Sequence, residues 1–246
     1  RGRQVAVKVV PAGAGGARLR REYALLSRLR APGLPAVHEL AVAPGGMILV
    51  SEFIDGQPLA PWCEAEPDLT RRLRVLAQVL VTLDFLHRRD VVHRDVKPDN
   101  VLLLPRGGPG GGPRAWLVDL GLAATAHGGA AELAGTAGYL APEVLAGEAA
   151  GPASDLYAAG VILFRLIWDR LPFGGDAATI TTRQLDRDAA VPDHGGTPAL
   201  RRLVRQLLAR SPARRPTSAA EALELMAAAA PGLGEPNELL CGDGLP

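Results

Sequence analysis

The chain has 246 residues, of which 48% are hydrophobic and 22% charged, enough for one large domain or two small lobes. Its formal net charge of +1 gives no reason to expect nucleic acid or a membrane surface as a partner. The two cysteines, Cys63 and Cys241, lack metal-ligand spacing, which favours a reducing, cytoplasmic compartment over a disulfide framework.

The first part of the chain predicts a small sheet with one helix. A β-branched run at residues 5–10 predicts a strand, and leucines at helical spacing predict a helix over residues 18–30. Two further strands are predicted at residues 36–43 and 47–54, joined by a Pro-Gly-Gly turn. The predicted order is therefore strand, helix, strand, strand.

From residue 55 onwards the pattern changes to long amphipathic helices with short apolar strands between them. Helices are predicted over residues 69–88, 155–170, 199–210 and 218–229, and short strands at 91–92, 101–104 and 116–118. The longest apolar stretch, residues 156–168, is interrupted by Arg165 and is too short to span a bilayer, so this segment predicts no membrane helix. The Gly- and Pro-rich residues 231–246 predict a linker or tail.

Lysine and asparagine are scarce in this sequence. Of the 27 basic residues only Lys8 and Lys97 are lysines, and the only asparagines are Asn100 and Asn237. With the abundant Ala, Gly and Pro, this bias is typical of a GC-rich genome and favours a bacterial source. A position that keeps Lys or Asn against such a bias is a candidate for chemistry that Arg cannot perform.

The strongest motif is His-Arg-Asp-Val-Lys-Pro-Asp-Asn at residues 93–100, followed by an apolar run. It resembles the catalytic loop of eukaryotic-type protein kinases, and a Lys two residues after the Asp resembles serine/threonine kinases more than tyrosine kinases. The resemblance implies that Asp95 accepts the proton of the substrate hydroxyl, Lys97 contacts the transferring phosphate and Asn100 binds Mg²⁺. An ordinary polar turn is the alternative, which the placement of scarce Lys and Asn disfavours.

Two further motifs resemble the nucleotide site of that family. Asp119-Leu-Gly follows a short strand and is similar to the metal-binding DFG motif, which implies that Asp119 is the main Mg²⁺ ligand. Lys8 ends a Val-Ala-Val-Lys strand that is similar to the one carrying the phosphate-binding lysine. Its glutamate partner would be Glu22, the only acidic residue between positions 1 and 38.

Later segments resemble the structural parts of a kinase. The run at 135–143, Gly-Thr-Ala-Gly-Tyr-Leu-Ala-Pro-Glu, is similar to the end of the activation segment, which docks a peptide substrate. The resemblance implies that Thr136 bonds Asp95 and Lys97 in the active site. It also implies structural roles for three residues: Glu143 pairs with Arg215, and Asp155 supports the backbone of the catalytic loop.

Residues 51–56, Ser-Glu-Phe-Ile-Asp-Gly, resemble the hinge between the two kinase lobes. In the family, backbone groups bind adenine there, which makes the Glu52 carbonyl and the Ile54 N–H the candidates. A plain strand leading into a turn is the alternative reading, because side chains carry little of this signal.

The resemblance covers residues 2–230 and implies an α+β, two-lobed protein-kinase-like fold. Residues 1–54 would form a partial N-lobe and residues 55–230 a mainly α-helical C-lobe. Only four residues precede Val5, so the first two strands and the glycine-rich loop between them are missing from this sequence. We therefore expect a piece of a longer multidomain chain that uses ATP and Mg²⁺ on protein substrates and is weakly active or inactive by itself.

Two other functions stay open at this point. A truncated pseudokinase-like interaction module would explain the missing loop, although Lys8, Asp95, Asn100 and Asp119 argue against evolved inactivity. A small-molecule kinase of the aminoglycoside phosphotransferase type would share the catalytic Asp and the metal ligands. The Ala-Pro-Glu segment that ends at Glu143 favours a protein substrate instead.

Overall fold

The computed structural model describes residues 4–11, 15–31, 33–120 and 137–234. The N-terminal strands and helix, in chain order, are β1 (Val5–Pro11), α1 (Gly15–Leu26), β2 (Val37–Ala43) and β3 (Gly46–Glu52). They are followed by β4 (Gln57–Pro58), α2 (Leu59–Ala65), α3 (Leu69–His87), β5 (Val101–Gly107) and β6 (Pro113–Leu117). The last helices are α4 (Pro142–Leu145), α5 (Pro152–Trp168), α6 (Ala177–Asp186), α7 (Pro198–Leu207) and α8 (Ala219–Ala229).

The first three strands form an antiparallel sheet in the order β1-β3-β2. Side chains alternate across β1, so Val5, Val7 and Val9 are exposed on one face while Lys8 and Val10 lie on the other. Helix α1 covers that other face through a small apolar cluster of Leu19, Met47 and Leu49. This sheet with its single helix is the N-lobe, and it places Lys8 on the covered side.

A second, smaller antiparallel sheet has the order β4-β5-β6. The loop at residues 93–100 leads directly into β5, and Asp119 comes two residues after β6 ends. Strands β5 and β6 are antiparallel, and Val101 lies opposite Leu117. The loop before β5 and the segment after β6 therefore lie at the same end of this sheet. The pairing therefore brings together residues that are about 20 positions apart in the sequence.

The helical C-lobe is built around α3 and α5. Asp68 caps α3, its side chain accepting a hydrogen bond from the Thr70 N–H at 2.8 Å. Helix α3 packs against α5, α8 and β6, while α5 packs against α7. The helix–helix contact at Gly160 is close: a Cβ built there would lie 2.6 Å from the Cβ of Leu207. A glycine in the middle of α5 is thus explained by the approach of α7.

The predicted two-lobed α+β architecture is confirmed by this arrangement. The order strand, helix, strand, strand is also confirmed for the first part, with ends that differ by a few residues. The strand predicted at residues 91–92 is wrong, because this segment is an unpaired loop bounded by Asp90 and Arg94, whose φ angles of 57° and 71° interrupt an extended backbone.

Three helices are not predicted by the sequence pattern. Helices α2 and α4 are short, and α6 is rich in threonine, which has low helix propensity.

In the tail predicted over residues 231–246, Leu233 is buried against the main core, whereas residues 235–246 lie outside the described part of the chain. None of the helices in the described ranges has the combined length and hydropathy that crossing a bilayer requires.

Candidate active site

The loop at residues 93–100 folds so that its polar side chains meet. One oxygen of Asp95, Oδ2, accepts hydrogen bonds from Lys97 Nζ at 2.7 Å and from Asn100 Nδ2 at 2.8 Å. The same Asn100 nitrogen also lies 2.7 Å from the Asp95 carbonyl oxygen. A 3-10 turn over Pro98–Asn100 closes the loop. The amide of Asn100 thereby fixes both the backbone and the carboxylate of Asp95.

The backbone of this loop is held from below by Asp155 in α5. One oxygen of that carboxylate, Oδ2, accepts from the His93 N–H and the other, Oδ1, from the Arg94 N–H, each at 2.8 Å. The Nε2 of His87, at the end of α3, lies 2.8 Å from Asp155 Oδ2. Since Asp155 is only 1% exposed, these partners satisfy a carboxylate that would otherwise be buried alone. They also hold Arg94 in its left-handed conformation.

The side chain of His93 is fully buried beneath the loop. Burial lowers its pKa, although the carboxylates of Asp155, Asp95 and Asp119 act in the opposite direction. The Asp95 N–H donates to His93 Nδ1 at 3.3 Å, which requires that nitrogen to carry no proton. The neutral imidazole of His93 thus accepts a hydrogen bond that helps to fix the backbone of the loop.

Lys8 and Asp119 connect the N-lobe to this loop. Lys8 Nζ lies 2.8 Å from Asp119 Oδ1, although the two residues are 111 positions apart. The N–H of Val118 donates to the Asn100 carbonyl at 2.8 Å, which ties the segment before Asp119 to the end of the loop. Asp119 itself has φ of 52°, an uncommon conformation for a non-glycine residue and one that is enriched at functional sites.

The structure therefore brings five predicted residues to one place: Lys8, Asp95, Lys97, Asn100 and Asp119. The side chains of Lys8 and Asp119 are 33% and 54% exposed, so both are accessible to a ligand. Next to them, Leu120 is 5% exposed and joins the main core, which fits the apolar residue of the resembled motif.

Asn100 and Asp119 have the oxygen donors that Mg²⁺ prefers, an amide carbonyl and a carboxylate. Both amide protons of Asn100 can be used by Asp95, which leaves its carbonyl oxygen for another partner. No group of three or more His, Cys, Asp or Glu side chains suited to a metal occurs among the described residues. Few protein ligands are typical of Mg²⁺ bound jointly by protein and phosphate, so these residues fit that ion.

Other predicted residues are placed less completely. The side chain of Glu22 and the whole of Thr136 lie outside the described part of the chain. Glu52 ends β3, where its N–H donates to the Ala36 carbonyl at 2.8 Å and its carboxylate accepts from the Ala36 N–H at 3.2 Å. Ile54 is 8% exposed. Adenine binding by Glu52 and Ile54 stays a prediction.

Glu143 and Arg215 form a buried, bidentate ion pair. The guanidinium nitrogens of Arg215 lie 2.7 and 2.8 Å from the two Glu143 oxygens, and Ser154 Oγ donates to the same carboxylate at 2.8 Å. Burial alone would raise the pKa of Glu143, but the hydrogen bonds from Arg215 and Ser154 outweigh burial and hold it below its ordinary value. The pair joins the start of α4 to the segment before α8.

Sequence reasoning missed two partners in these networks, His87 and Ser154. His87 lies one residue before the end of the helix predicted over residues 69–88 and belongs to no motif. Ser154 begins the segment that resembles the helix of Asp155, but the resemblance gives it no role of its own. A histidine at a helix C-terminus is favourable by itself, so the sequence gives no reason to look for a carboxylate 68 residues away.

Comparison with known proteins agrees with this geometry. Residues 1–226 match the protein kinase domain family. The chain is 33% identical to serine/threonine-protein kinase pkn2 of Myxococcus xanthus, over 96% of this chain and 31% of that protein. It is 34% identical to pkn3 of the same organism, over 82% of this chain and 40% of that protein. It is 35% identical to serine/threonine-protein kinase PkaB of Streptomyces coelicolor, over 79% of this chain and 48% of that protein.

The chain thus spans less than half the length of each of these three relatives. The family match extends over the N-lobe sheet, the loop at residues 93–100 and the buried pair of Glu143 and Arg215. Sequence motifs, fold and relatives agree, and the chain belongs to the protein kinase domain family, among eukaryotic-type serine/threonine protein kinases of bacteria.

Proposed function

We propose that this domain transfers the terminal phosphate of ATP to serine or threonine hydroxyl groups of protein substrates. The observation that carries the proposal is the convergence of Asp95, Lys97 and Asn100 in one loop, with Lys8 and Asp119 paired beside it. The names of the bacterial relatives, all serine/threonine-protein kinases, support the same reaction.

In this mechanism Asp95 orients the acceptor hydroxyl and takes its proton. The hydroxyl oxygen forms the new bond to the terminal phosphorus, the bond from that phosphorus to the bridging oxygen breaks, and ADP leaves. The support of the loop by Asp155 and Asn100 keeps the Asp95 carboxylate in one position. Positioning of this kind is a main part of catalysis of phosphoryl transfer.

The cationic side chains neutralise phosphate charge. Lys97, hydrogen-bonded to Asp95, would contact the phosphate in transfer, and Lys8 would contact the phosphates that stay on the nucleotide. Asn100 and Asp119 would hold Mg²⁺, which supplies neutralisation of the phosphate oxygens when bound. In the same proposal Glu22 orients Lys8, Thr136 bonds Asp95 and Lys97, and the backbone of Glu52 and Ile54 binds adenine.

The test is transfer of labelled phosphate from ATP to a generic acceptor, dephosphorylated β-casein, by the natural polypeptide that contains these residues. We expect Mg²⁺-dependent transfer to serine and threonine, and a large loss in the Asp119→Asn variant. The matched control is Asp193→Asn, which makes the same change at a carboxylate whose side chain is 99% exposed. Nucleotide binding without any transfer, to casein or to itself, would favour the interaction module instead.

A polypeptide restricted to residues 1–246 holds only four residues ahead of Val5 and no glycine-rich strand pair there. Within the described residues no strand precedes β1 to cover the phosphates from that side, so we expect slow transfer or none from this polypeptide. The measurement compares it with the full natural chain. Equal rates from the two chains would contradict this expectation.

A further inference from the structure

Gln184 is a fully buried amide on a helix whose other residues, apart from Ile180, are exposed or partly exposed. Of the ten residues of α6 only Ile180 and Gln184 are buried, and Gln184 is 0% exposed. Burying an amide is unfavourable unless hydrogen bonds replace those to water. A buried glutamine at this position therefore points to polar partners that the mechanism above does not use.

The partners are the backbone of the segment at residues 138–140 and the hydroxyl of Tyr157. Gln184 Nε2 lies 3.0 Å from the Leu140 carbonyl oxygen, 3.4 Å from the Gly138 carbonyl oxygen and 3.0 Å from Tyr157 Oη. Carbonyl oxygens only accept, so the amide nitrogen and not the amide oxygen has to face them. The amide nitrogen has two protons for these three acceptors, so the longest contact, to Gly138, shares a proton with a shorter bond. One side chain thereby joins α6, α5 and the 138–140 segment.

The 138–140 segment borders the proposed site of transfer. Tyr139 and Leu140 line a cavity of about 40 Å³ together with Asp95, the proposed proton acceptor. On its other side the segment is fixed by Arg165, whose guanidinium donates to Tyr139 Oη at 3.1 Å. An acceptor hydroxyl that reaches Asp95 brings its neighbouring residues against this border, so the placement of the border affects protein substrates and not the nucleotide.

We infer that Gln184 is a positioning residue for the protein substrate, which fixes the 138–140 segment beside Asp95 through its two carbonyl bonds. The inference rests on the proposed transfer of phosphate to proteins. Loss of the amide leaves the Gly138 and Leu140 carbonyls without this donor and lets the segment shift. The apparent affinity for a protein acceptor then falls, while ATP continues to meet an unchanged set of residues.

The experiment compares Gln184→Leu with the wild type in the natural full-length chain, with dephosphorylated β-casein as acceptor. We expect KM for casein to rise about tenfold, the change that 1.4 kcal/mol produces, with KM for ATP unchanged within about twofold. The slow Mg²⁺-dependent hydrolysis of ATP by water should also be unchanged. Gln184→Met, which keeps the length and flexibility of the side chain, is the second variant.

Gln78 provides the matched control. It is a partly buried glutamine on α3 that donates to the Arg74 and Pro113 carbonyls at 3.3 and 3.1 Å and accepts from the Ala115 N–H at 3.0 Å, away from residues 138–140. Gln78→Leu removes similar bonds and should leave KM for casein unchanged.

Each outcome separates the inference from the function on which it rests. An unchanged KM for casein in a folded Gln184 variant, or an equal rise in Gln78→Leu, overturns the positioning role while transfer by the wild type stands. Absence of transfer by the wild type overturns the proposed function. Failure of both Gln184 variants to fold, with Gln78→Leu folded, makes Gln184 a residue of general stability and overturns the inference as well.

Discussion

The cleft, by which we mean Lys8, Asp119 and the loop at residues 93–100, contains one ion pair, and the helical layer beneath that loop contains another, Glu143 with Arg215. Water reaches the two pairs to very different extents. In the cleft, Lys8 and Asp119 keep 33% and 54% of their side-chain surface exposed. Beneath it, Arg215 has no exposed side-chain surface and Glu143 has 8%. The guanidinium of Arg215 also donates to the carbonyls of Ala153, Ala209 and Arg210, so all its donor atoms have partners.

This difference separates an ion pair that is accessible to a ligand from an ion pair that stabilises the fold. A pair that exchanges its partner for a nucleotide has to stay accessible, and in water its contribution to stability is small. A pair that is buried and saturated with hydrogen bonds cannot exchange partners without exposing an uncompensated charge. The candidate site and the framework thus both use ion pairs, but at different depths.

The largest effect is expected at Asp95, in the loop beside the pair of Lys8 and Asp119. Asp95→Asn keeps the shape of the side chain but removes the proton acceptor, so kcat for casein phosphorylation should fall about 10²- to 10⁴-fold. Steady-state kinetics measure the fall, and thermal unfolding shows that the fold is kept. A kcat within tenfold of the wild type would contradict the role of Asp95, and Asp193→Asn serves as the control with an exposed carboxylate.

The next largest effect concerns stability. Arg215→Met leaves Glu143 buried without its partner, and the free energy of unfolding should fall by about 3–5 kcal/mol. Urea unfolding measures the loss. The control is Arg205→Met, whose ion pair with Asp193 is exposed and should contribute about 0–1 kcal/mol. Equal losses in the two variants would remove the distinction between buried and exposed pairs.

The pH dependence follows from the pKa of Glu143, which its hydrogen bonds hold below the ordinary value of 4.5. A lowered pKa in the folded state stabilises the protein above pH 4.5, and this contribution is lost as the pH falls through the folded-state pKa. The difference in unfolding free energy between the wild type and Glu143→Gln should therefore be constant near neutral pH. Below pH 4.5 it should shrink by at most about 1.4 kcal/mol per pH unit.

Urea unfolding at several pH values from 7 downwards, over the range in which both proteins fold, measures that difference. Glu221→Gln is a useful second comparison, because the pKa of Glu221 is also lowered, by hydrogen bonds from Thr217, but the residue lies near the surface. A difference that widens as the pH falls below 4.5 would contradict the assignment to Glu143.

The smallest effect is expected for the cleft pair. Lys8→Met should lower the free energy of unfolding by only about 0–1 kcal/mol, because the Lys8 and Asp119 side chains are exposed to solvent. The same substitution should raise KM for ATP and lower kcat, since it removes the positive charge of Lys8 that would contact the nucleotide phosphates. A loss of stability as large as that of Arg215→Met would mean that the two pairs do not differ in function.

Motifs in the sequence were sufficient to select five residues that the fold brings together, whereas their catalytic roles stay predictions. Lys8, Lys97 and Asn100 stand out because their residue types are scarce, and Asp119 stands out by its place after a strand. Helices with strong apolar spacing, such as α3 and α5, were also predicted close to their observed bounds. In these regions the local pattern and the tertiary packing favour the same structure.

The rest depends on contacts that no local pattern contains. Helix α6 was missed because its threonines disfavour a helix, and its formation depends on packing against the 138–140 segment. Gln184 could not be identified because glutamine on a helix is usually exposed, and only the fold shows that it is buried. His87 and Asp155 are 68 positions apart, and only the packing of α3 against α5 brings them together.

The three hydrogen bonds to Asp155 have a consequence for synthesis on the ribosome. The loop that ends at Asn100 leaves the ribosome before α5 exists, so its backbone has no carboxylate to bind until about 60 further residues are translated. Arg215 comes another 60 residues later, which adds several seconds at about 5–20 residues per second. A nascent chain therefore carries every predicted residue of the cleft well before it can hold them in place, and the proposed activity requires that nearly the whole domain has been made.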